Sequence, residues 1–294
     1  MMSVISLMDS DTANNLNSFP NLMDGALQVL GCPEPGKKVS LSRELAELWR
    51  SGSLPAGLSE HGNRQFSPPD RPARPDKPDL LLPRNMPKRK PGGKKGLIAL
   101  LHALAHIELN AIDLAWDIIV RFAPSVRKIS DHATLQDFCS DWVSVADDEA
   151  FHFSLLTGRL AAQNACYGDL PAHDGLWEAA ISTKNDLMAR LALVPMVLEA
   201  RGLDVTPATM ARLQRVSLPD EAVVLEQIYK DEIRHVGFGV KWFEFMATRM
   251  NIDPHVTWRA LVDQHFSGQL QGPYNKEARL EAGFSGEYYE SGPS

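Results

Sequence analysis

From Gly96 onward, apolar residues recur every three or four positions with polar residues between them. This spacing is typical of helices that bury one face, and it predicts four long helices at about 96–122, 131–165, 174–201 and 220–248. Pro124 and Gly202 should end the first and third helices, and Pro219 should begin the fourth. Shorter helices are predicted at about 40–51, 207–216 and 254–268. No run of alternating β-branched residues predicts a strand, so the expected class is all-α.

The segment before the long helices has a different pattern. Eight prolines occur from Pro68 to Pro91, which excludes a long helix or a central strand there. We expect this segment to lie extended on the surface of the main domain or to form a linker, after a loose tail at 1–20. Its basic end, Arg84 to Lys95, holds six Lys or Arg residues but no aromatic side chain for base stacking. A solvated linker is therefore favoured there over contacts with phosphate groups.

These patterns divide the chain into three parts. Residues 1–95 form the N-terminal tail, the short helix and the Pro-rich segment. Residues 96–250 form the helical domain. Residues 251–294 form a C-terminal helix and tail that we expect to pack on that domain.

Composition indicates a soluble, cytoplasmic protein. The net charge of −7 gives no general attraction to nucleic acid or to an anionic membrane. Three scattered cysteines suit a reducing compartment better than a disulfide scaffold. The N-terminus lacks the pattern of a signal peptide. The most apolar stretch, 97–120, contains five side chains too polar for a lipid-facing span, namely His102, His106, Glu108, Asp113 and Asp117.

Two of the predicted long helices contain the same motif, Asp-Glu-x-x-His, ending at His152 and at His235. Helix positions three residues apart lie about 60° apart on one face. Glu149 and His152 can therefore point to one place from the second helix, and Glu232 and His235 can do so from the fourth. A single Glu-x-x-His is a weak signal, because long helices contain it by chance.

Lone glutamates on the other two helices strengthen the signal. Glu108 and Glu199 occur in largely apolar surroundings, where an unpaired carboxylate is costly. The chain order is then the one found in di-iron and di-manganese carboxylate bundles. Four glutamates would neutralise two divalent cations, with either Glu149 and Glu232 or Glu108 and Glu199 as bridges. The predicted ligands, which could instead be unrelated core and surface acids, are Glu108, Glu149, His152, Glu199, Glu232 and His235.

Residues beside the motifs have candidate supporting roles. Asp148 and Asp231 could each accept a hydrogen bond from the histidine of the opposite helix, or they could be ordinary surface acids. Arg201 and Arg234 could hold acids around the cluster or form surface ion pairs. Pro195, four residues before Glu199, should kink or bulge its helix.

The remaining polar residues of the first long helix have a structural interpretation. His102 and His106 point away from Glu108 and are expected to be hydrogen-bonded packing residues. Asp113 and Asp117 share a face, where we expect salt bridges or solvation, with a proton relay as the lesser alternative.

The motif order resembles the ferritin-like superfamily of di-metal carboxylate proteins, and "DEIRH" is similar to a five-residue motif of bacterial multicomponent monooxygenases. Roughly residues 25–285 resemble the uncharacterised ferritin-like domain-of-unknown-function family 455. The resemblance is carried by "LLHALAHIELNAIDLAWD", "VADDEAFHFSLL", "YGDLPAHDGLWEAA", "MARLALVPMVLEARGLDVTP" and "YKDEIRHVGFG". It implies a ferritin-like four-helix bundle with peripheral helices and the same six ligands, with no departure at any of them. It implies no substrate.

A bundle that holds two iron ions can activate dioxygen. The leading hypothesis is a di-iron hydroxylase or monooxygenase acting on a small-molecule or modified substrate, with an electron donor; manganese or a mixed pair of metals is also compatible. One alternative is iron handling, as a ferroxidase or storage protein, although large terminal additions would encumber a cage subunit. The other is a metal-stabilised binding module. A tRNA-modifying hydroxylase is possible by analogy only, and a homodimer is compatible with the sequence.

Overall fold

The computed structural model describes residues 19–58, 66–87 and 92–290. Regular structure in these ranges is helical apart from an isolated bridge between Leu80 and Ala172. The predicted all-α class is confirmed, whereas the ferritin-like four-helix bundle stays a prediction. The helices are α1 (Leu22–Leu30), α2 (Pro35–Arg50), α3 (Gly93–Ile129), α4 (His132–Ala162), α5 (Gly175–Ser182), α6 (Leu187–Leu193), α7 (Ala200–Arg215), α8 (Pro219–Met250), α9 (Pro254–His265), α10 (Lys276–Glu281) and α11 (Gly286–Tyr289). Most of the predicted tail at 1–20, and residues 88–91 of the basic stretch, lie outside the described residues.

Two short N-terminal helices, α1 and α2, pack against α3 and α4. The helix predicted at 40–51 begins earlier, at Pro35, because the Glu34 side chain caps it by accepting from the backbone N–H groups of Gly36 and Lys37. The preceding helix, α1, was not predicted. Asn21 caps α1 through a hydrogen bond from Asp24 N, and that cap was the signal available in the sequence.

The Pro-rich segment lies extended against the helices, which was the first of its two predicted arrangements. Its backbone is fixed by side chains of the helical domain. The Trp177 indole donates a hydrogen bond to Asp70 O at 2.9 Å, and Arg121 Nη2 donates to Pro69 O at 3.1 Å. Leu81 N donates to Ala172 O at 2.8 Å, beside the isolated bridge. A 3₁₀ turn follows at Pro83–Asn85.

The helix predicted to end before Pro124 continues through this residue, so that boundary was wrong. α3 runs to Ile129 and ends at Ser130, which has an extended backbone. Pro124 removes one backbone hydrogen bond, but Ala123 and Val126 on either side of it are fully buried. Their burial in the core stabilises the helical path, so the proline does not end it.

The third predicted long helix is interrupted. α5 ends at Ser182, and α6 starts after Asp186, whose side chain accepts from Ala189 N as a cap. A π-helical segment, Val194–Glu199, leads directly into α7. Gly202 does not end the helix and Pro207 does not start a new one, because both lie inside α7. The buried side chains Leu203 and Leu213 anchor α7 across these residues.

The long helices pack pairwise. α3 has its most extensive contacts with α4, and α8 contacts α4, α6, the π segment and α7. α9 packs on α6 and α8, and α11 packs on α9. Trp258, Phe284 and Tyr288 form an aromatic cluster at this C-terminal side.

One helix in the described ranges, Gly93–Ile129, is long and apolar enough to cross a membrane by length and composition alone. Of the most apolar 18-residue stretch of this helix, 72% is buried inside the structure. The apolar surface of this helix is therefore largely covered by the protein's own core.

Candidate metal centre

Helices α4 and α8 present their Asp-Glu-x-x-His motifs to each other. His152 and His235 are both fully buried, and their ring centroids are 6.0 Å apart. Three-residue spacing places each histidine above the glutamate of its own motif, and His152 Nδ1 lies 3.4 Å from Glu149 Oε2. The two motifs thus share one buried space between the helices.

Each histidine is oriented by the aspartate of the opposite motif. His152 Nε2 lies 3.0 Å from Asp231 Oδ2, and His235 Nε2 lies 3.1 Å from Asp148 Oδ2. A carboxylate only accepts hydrogen bonds, so the Nε2–H group of each imidazole is the donor. The pairing directs both Nδ1 atoms inward, which is how metal-binding histidines are commonly held.

The inward nitrogens meet the glutamates. His152 Nδ1 lies 3.6 Å from Glu108 Oε2. His235 Nδ1 lies 3.0 Å from Glu149 Oε1 and 3.7 Å from Glu232 Oε2. Glu149 therefore has one carboxylate oxygen near each histidine and occupies the middle of the cluster.

The other two glutamates come from α3 and from the π segment. Glu108 is 2% exposed, within a stretch of α3 that is buried on nearly all sides. Glu199 is the last residue of the π segment, and Pro195 is its second. Gly239 of α8 lies against this distortion, since a Cβ added there would come within 2.6 Å of the Pro195 ring. A small residue on α8 thus allows the π segment to approach.

Buried atoms in this cluster lack hydrogen-bond partners among the described residues. One oxygen of each glutamate and the Nδ1 of His235 have none: Glu108 Oε2, Glu149 Oε1, Glu199 Oε2, Glu232 Oε2 and His235 Nδ1. The 3.0 Å contact between Glu149 and His235 does not have hydrogen-bond geometry. Unsatisfied buried acceptors are costly, and cation binding is one way to satisfy them.

Four of these residues can hold a metal ion together. One ligand atom from each of Glu108, Glu149, His152 and Glu232 lies within 4.8 Å of the other three. His235 adjoins this group through Glu149 and Glu232. Glu199 is close enough for its charge to interact with Glu232 and Glu149. The chemistry of this donor set, carboxylate oxygen and imidazole nitrogen, suits iron, manganese and zinc.

Burial and the crowding of like charges shift the pKa values of the carboxyls. Burial and the charge of Glu149 raise the pKa of Glu108 well above its usual value, and burial with the charge of Glu232 does the same for Glu199. Burial also raises the pKa of Glu232. Burial opposes ionisation of Glu149 too, but its contacts with Glu108 and the two histidines prevail and hold its pKa well below the usual range.

The histidines shift in the complementary direction. Burial alone would lower the pKa of His152, but its hydrogen bonds to Asp231 and Glu149 and its contact with the Glu108 carboxylate raise it to about 12. The pKa of His235 is also raised well above its usual value, and the hydrogen bond to Asp148 contributes most to this rise. Protons on the imidazoles and carboxyls thus balance the buried negative charge, and divalent cations would displace them.

Two further residues support the aspartates from outside. Arg234 is 45% exposed, and its Nη2 atom lies 2.5 Å from Asp148 Oδ2 and 3.5 Å from Asp231 Oδ1. Gln227 donates from Nε2 to Asp231 Oδ2 at 2.7 Å. Gln227 was not among the predicted supporting residues, although its position one helical turn before Asp231 was a usable signal. Arg201 forms the second of its two predicted contacts, an ion pair near the surface: its Nη1 lies 3.6 Å from Asp204 Oδ2 and also donates to Gln271 O at 3.0 Å.

The histidines and aspartates of α3 have partners outside the cluster. His102 Nε2 accepts from Gly168 N at 3.0 Å, and His106 pairs with the Tyr167 hydroxyl at 2.8 Å. Asp113 forms a buried ion pair with Lys38. Asp117 pairs with the buried Arg190 at 2.6 Å. The predicted salt-bridging role of both aspartates is present, but their buried partners were not identified from the sequence.

The fold and this cluster define an all-α protein with a buried Glu/His group able to bind a metal ion. The chain belongs to the family described as "Protein of unknown function (DUF455)", whose model matches residues 31–290. It is similar to an uncharacterized protein of Haemophilus influenzae, with 38% identity over 211 residues that cover 72% of this chain and 73% of the relative. No solved structure matches the chain significantly.

Proposed function

We propose that the chain is a ferritin-like di-iron carboxylate protein that activates dioxygen to hydroxylate an organic substrate. One observation carries the proposal: two histidines, each held by the other helix's aspartate, face four glutamates whose buried oxygens lack partners. Such a constellation, built from four helical segments, is the donor set of di-metal carboxylate sites.

The charges support two divalent ions. The six proposed ligands are Glu108, Glu149, His152, Glu199, Glu232 and His235. Their four carboxylates would offset the four positive charges of two such ions, which makes the buried cluster nearly neutral. Glu149 is the candidate bridge, because its two oxygens lie near different histidines. Asp148 and Asp231 hold the imidazoles in the tautomer that leaves Nδ1 free to coordinate.

When bound, ferrous ions supply electrons and open coordination positions for dioxygen. The overall reaction inserts one oxygen atom into a C–H bond and reduces the other to water, consuming two electrons and two protons. A separate electron donor must supply those electrons. The protein's own part is to hold the ligands and exclude bulk water, and the full burial of Glu149 and His152 serves this purpose.

The environment of the thiols fits a reducing compartment such as the cytoplasm. Cys32, Cys139 and Cys166 are all free, and the first two are buried. This arrangement would remain reduced where glutathione or thioredoxin is present.

The first test is metal content. Freshly purified protein is expected to contain about two iron atoms per chain, since a six-ligand carboxylate set holds a metal pair. Glu149→Gln should lose most of this metal, whereas Glu226→Gln should retain it, because Glu226 is an exposed residue of α8 that forms an ion pair with Lys230. A protein that retains no transition metal, even after anaerobic reconstitution, would refute the di-metal site.

The second test is oxygen chemistry. The reduced, iron-loaded protein should consume dioxygen beyond the simple oxidation of its iron, and a substrate screen should find product carrying ¹⁸O from labelled dioxygen. Metal binding with no oxygen use would favour the metal-stabilised module. Assembly into a large closed shell, seen by size-exclusion chromatography, would favour iron storage.

A further inference from the structure

A large groove lies at one end of the molecule, where the start of α3 meets the end of α7. Its volume is about 600 Å³, within the usual range of roughly 300–1,000 Å³ for small-molecule sites. Small and apolar side chains form most of its wall, including Gly96, Leu97, Leu100, Ala103, Leu213 and Val216.

The charged residues of the groove are cationic. Lys94, from the first turn of α3, and Arg212, from the last turns of α7, both line it and are exposed. The described lining contains no acidic side chain. The first N–H groups of α3 add partial positive charge at the same end. The groove is thus apolar along its wall and positive at its end.

On α3, the wall of the groove leads toward the metal centre. Gly96, Leu100 and Ala103 follow helical spacing on one face, and Ile107 continues it one turn further. Ile107 is 43% exposed and directly precedes Glu108. Ala103 lies five residues before Glu108, which corresponds to about 7.5 Å along the helix axis. An exposed apolar face of α3 therefore runs from the groove to the level of Glu108, whose own side chain turns into the core.

On α7, one exposed apolar residue lies between Arg212 and Glu199. Val205 lies seven residues before Arg212 and shares its helical face, and it is 42% exposed. Glu199, immediately before α7, and Glu232 are the proposed ligands that keep some solvent exposure, whereas the other four are fully buried. A partly exposed proposed ligand, Glu199, thus directly precedes the helix that forms the second wall of the groove.

We propose that this groove binds an elongated apolar molecule with one anionic end, a carboxylate or a phosphate. The anion pairs with Arg212 and Lys94, and the apolar body lies along Leu100, Ala103 and Ile107 toward Glu108. This assignment of a substrate class rests on the proposed hydroxylase function. The binding itself depends only on the groove.

The test uses three probes with the same alkyl chain: dodecanoate, dodecyl phosphate and dodecyltrimethylammonium. Each is titrated below its micelle concentration into the full-length, metal-loaded protein by calorimetry. The two anionic probes should bind with one site per chain, and the cationic probe should bind at least about tenfold more weakly, because Arg212 and Lys94 repel it. The comparison of carboxylate with phosphate identifies the preferred anion.

Matched variants locate the site. Arg212→Glu should weaken binding of the anionic probes about tenfold, since it replaces attraction by repulsion, whereas Arg215→Glu on the same helix should change it less than about twofold. Ala103→Trp should fill the groove and abolish binding, whereas Ala260→Trp on exposed α9 should not. Circular dichroism and iron content confirm that each variant is folded and loaded.

Several outcomes overturn the groove assignment. The first is equal binding of the cationic and anionic probes, and the second is unchanged binding in both Arg212→Glu and Ala103→Trp. The third is a dimer that Ala103→Trp dissociates, which would show that a second copy of the chain occupies the groove. Failure of the proposed function is distinguishable, because it shows as missing metal or missing oxygen use while the anionic probes still bind. Failure of the groove alone shows as normal metal and oxygen chemistry with no probe binding.

Discussion

The buried ion pair between α2 and α3 allows a quantitative test of the fold. Lys38 and Asp113 each have side chains only 2% exposed, and the ammonium group also donates to Ala73 O at 3.2 Å. Lys38→Met keeps most of the side-chain volume but removes the charge. The Asp113 carboxylate would then stay buried without its partner.

The expected cost depends on pH. Removing one partner of a buried pair costs about 3–5 kcal/mol when the other stays ionised. Burial raises the pKa of Asp113 from 3.8 to about 6, although Lys38 counteracts the rise. The folded state therefore binds this proton more tightly than the unfolded state, and without Lys38 the pKa of Asp113 rises further. In the variant the buried carboxyl is neutral at pH 5, whereas at pH 8 it must either take up a proton or stay ionised without its partner, and both are unfavourable. We expect the full loss at pH 8 and little or none at pH 5.

Urea unfolding at both pH values measures these differences. Lys37→Met is the control, because Lys37 is the adjacent residue but is exposed. Adding Asp113→Asn to Lys38→Met should recover most of the loss at pH 8, since no unpaired charge remains. The reasoning is refuted if Lys38→Met costs no more than Lys37→Met at pH 8, or if its cost is larger at pH 5.

Other predictions concern the metal centre and its supporting helices. Asp231→Ala should lower metal affinity about 10- to 100-fold, because it removes the acceptor that orients His152. Asp220→Ala, at an exposed position of α8, should not, and competition with a chelator measures both. Gly239→Ala should destabilise the protein by roughly 1–3 kcal/mol, since its Cβ would clash with Pro195. Gly158→Ala, in open space within α4, should instead stabilise it by about 0.5–1 kcal/mol in thermal unfolding. Equal melting shifts for the two glycine variants would contradict the packing of the π segment.

The long helices were predictable because their apolar spacing reflects the buried faces. α4 begins one residue after its cap, Asp131, and α8 begins at Pro219, both near the predicted boundaries. The predicted helix boundaries were wrong where burial of neighbouring side chains outweighed a residue that tends to end helices. Pro124 and Gly202 lie inside helices because the neighbouring side chains Val126 and Leu203 are held in the core. The low helix propensity of proline and glycine has less effect on the structure than such packing.

The candidate site was predictable for a related reason, since spacing along a helix fixes which side chains share a face. Glu149 with His152 followed from this rule, as did the pair on α8. Ion pairs between distant segments of the chain could not be predicted from this rule. Lys38 and Asp113 are 75 residues apart in the chain, and Arg190 and Asp117 are 73 apart, so only tertiary structure brings them together. No local pattern contains that information.

Helices α4 and α8 each supply the aspartate that orients the histidine of the other helix. A ribosome that has finished α4 has made His152, yet this imidazole lacks its acceptor until Asp231 emerges about 80 residues later and α8 docks. Neither helix can present a correctly oriented nitrogen by itself. Under the proposed function, metal loading would therefore follow completion of α8, and truncated chains that lack α8 would bind metal poorly.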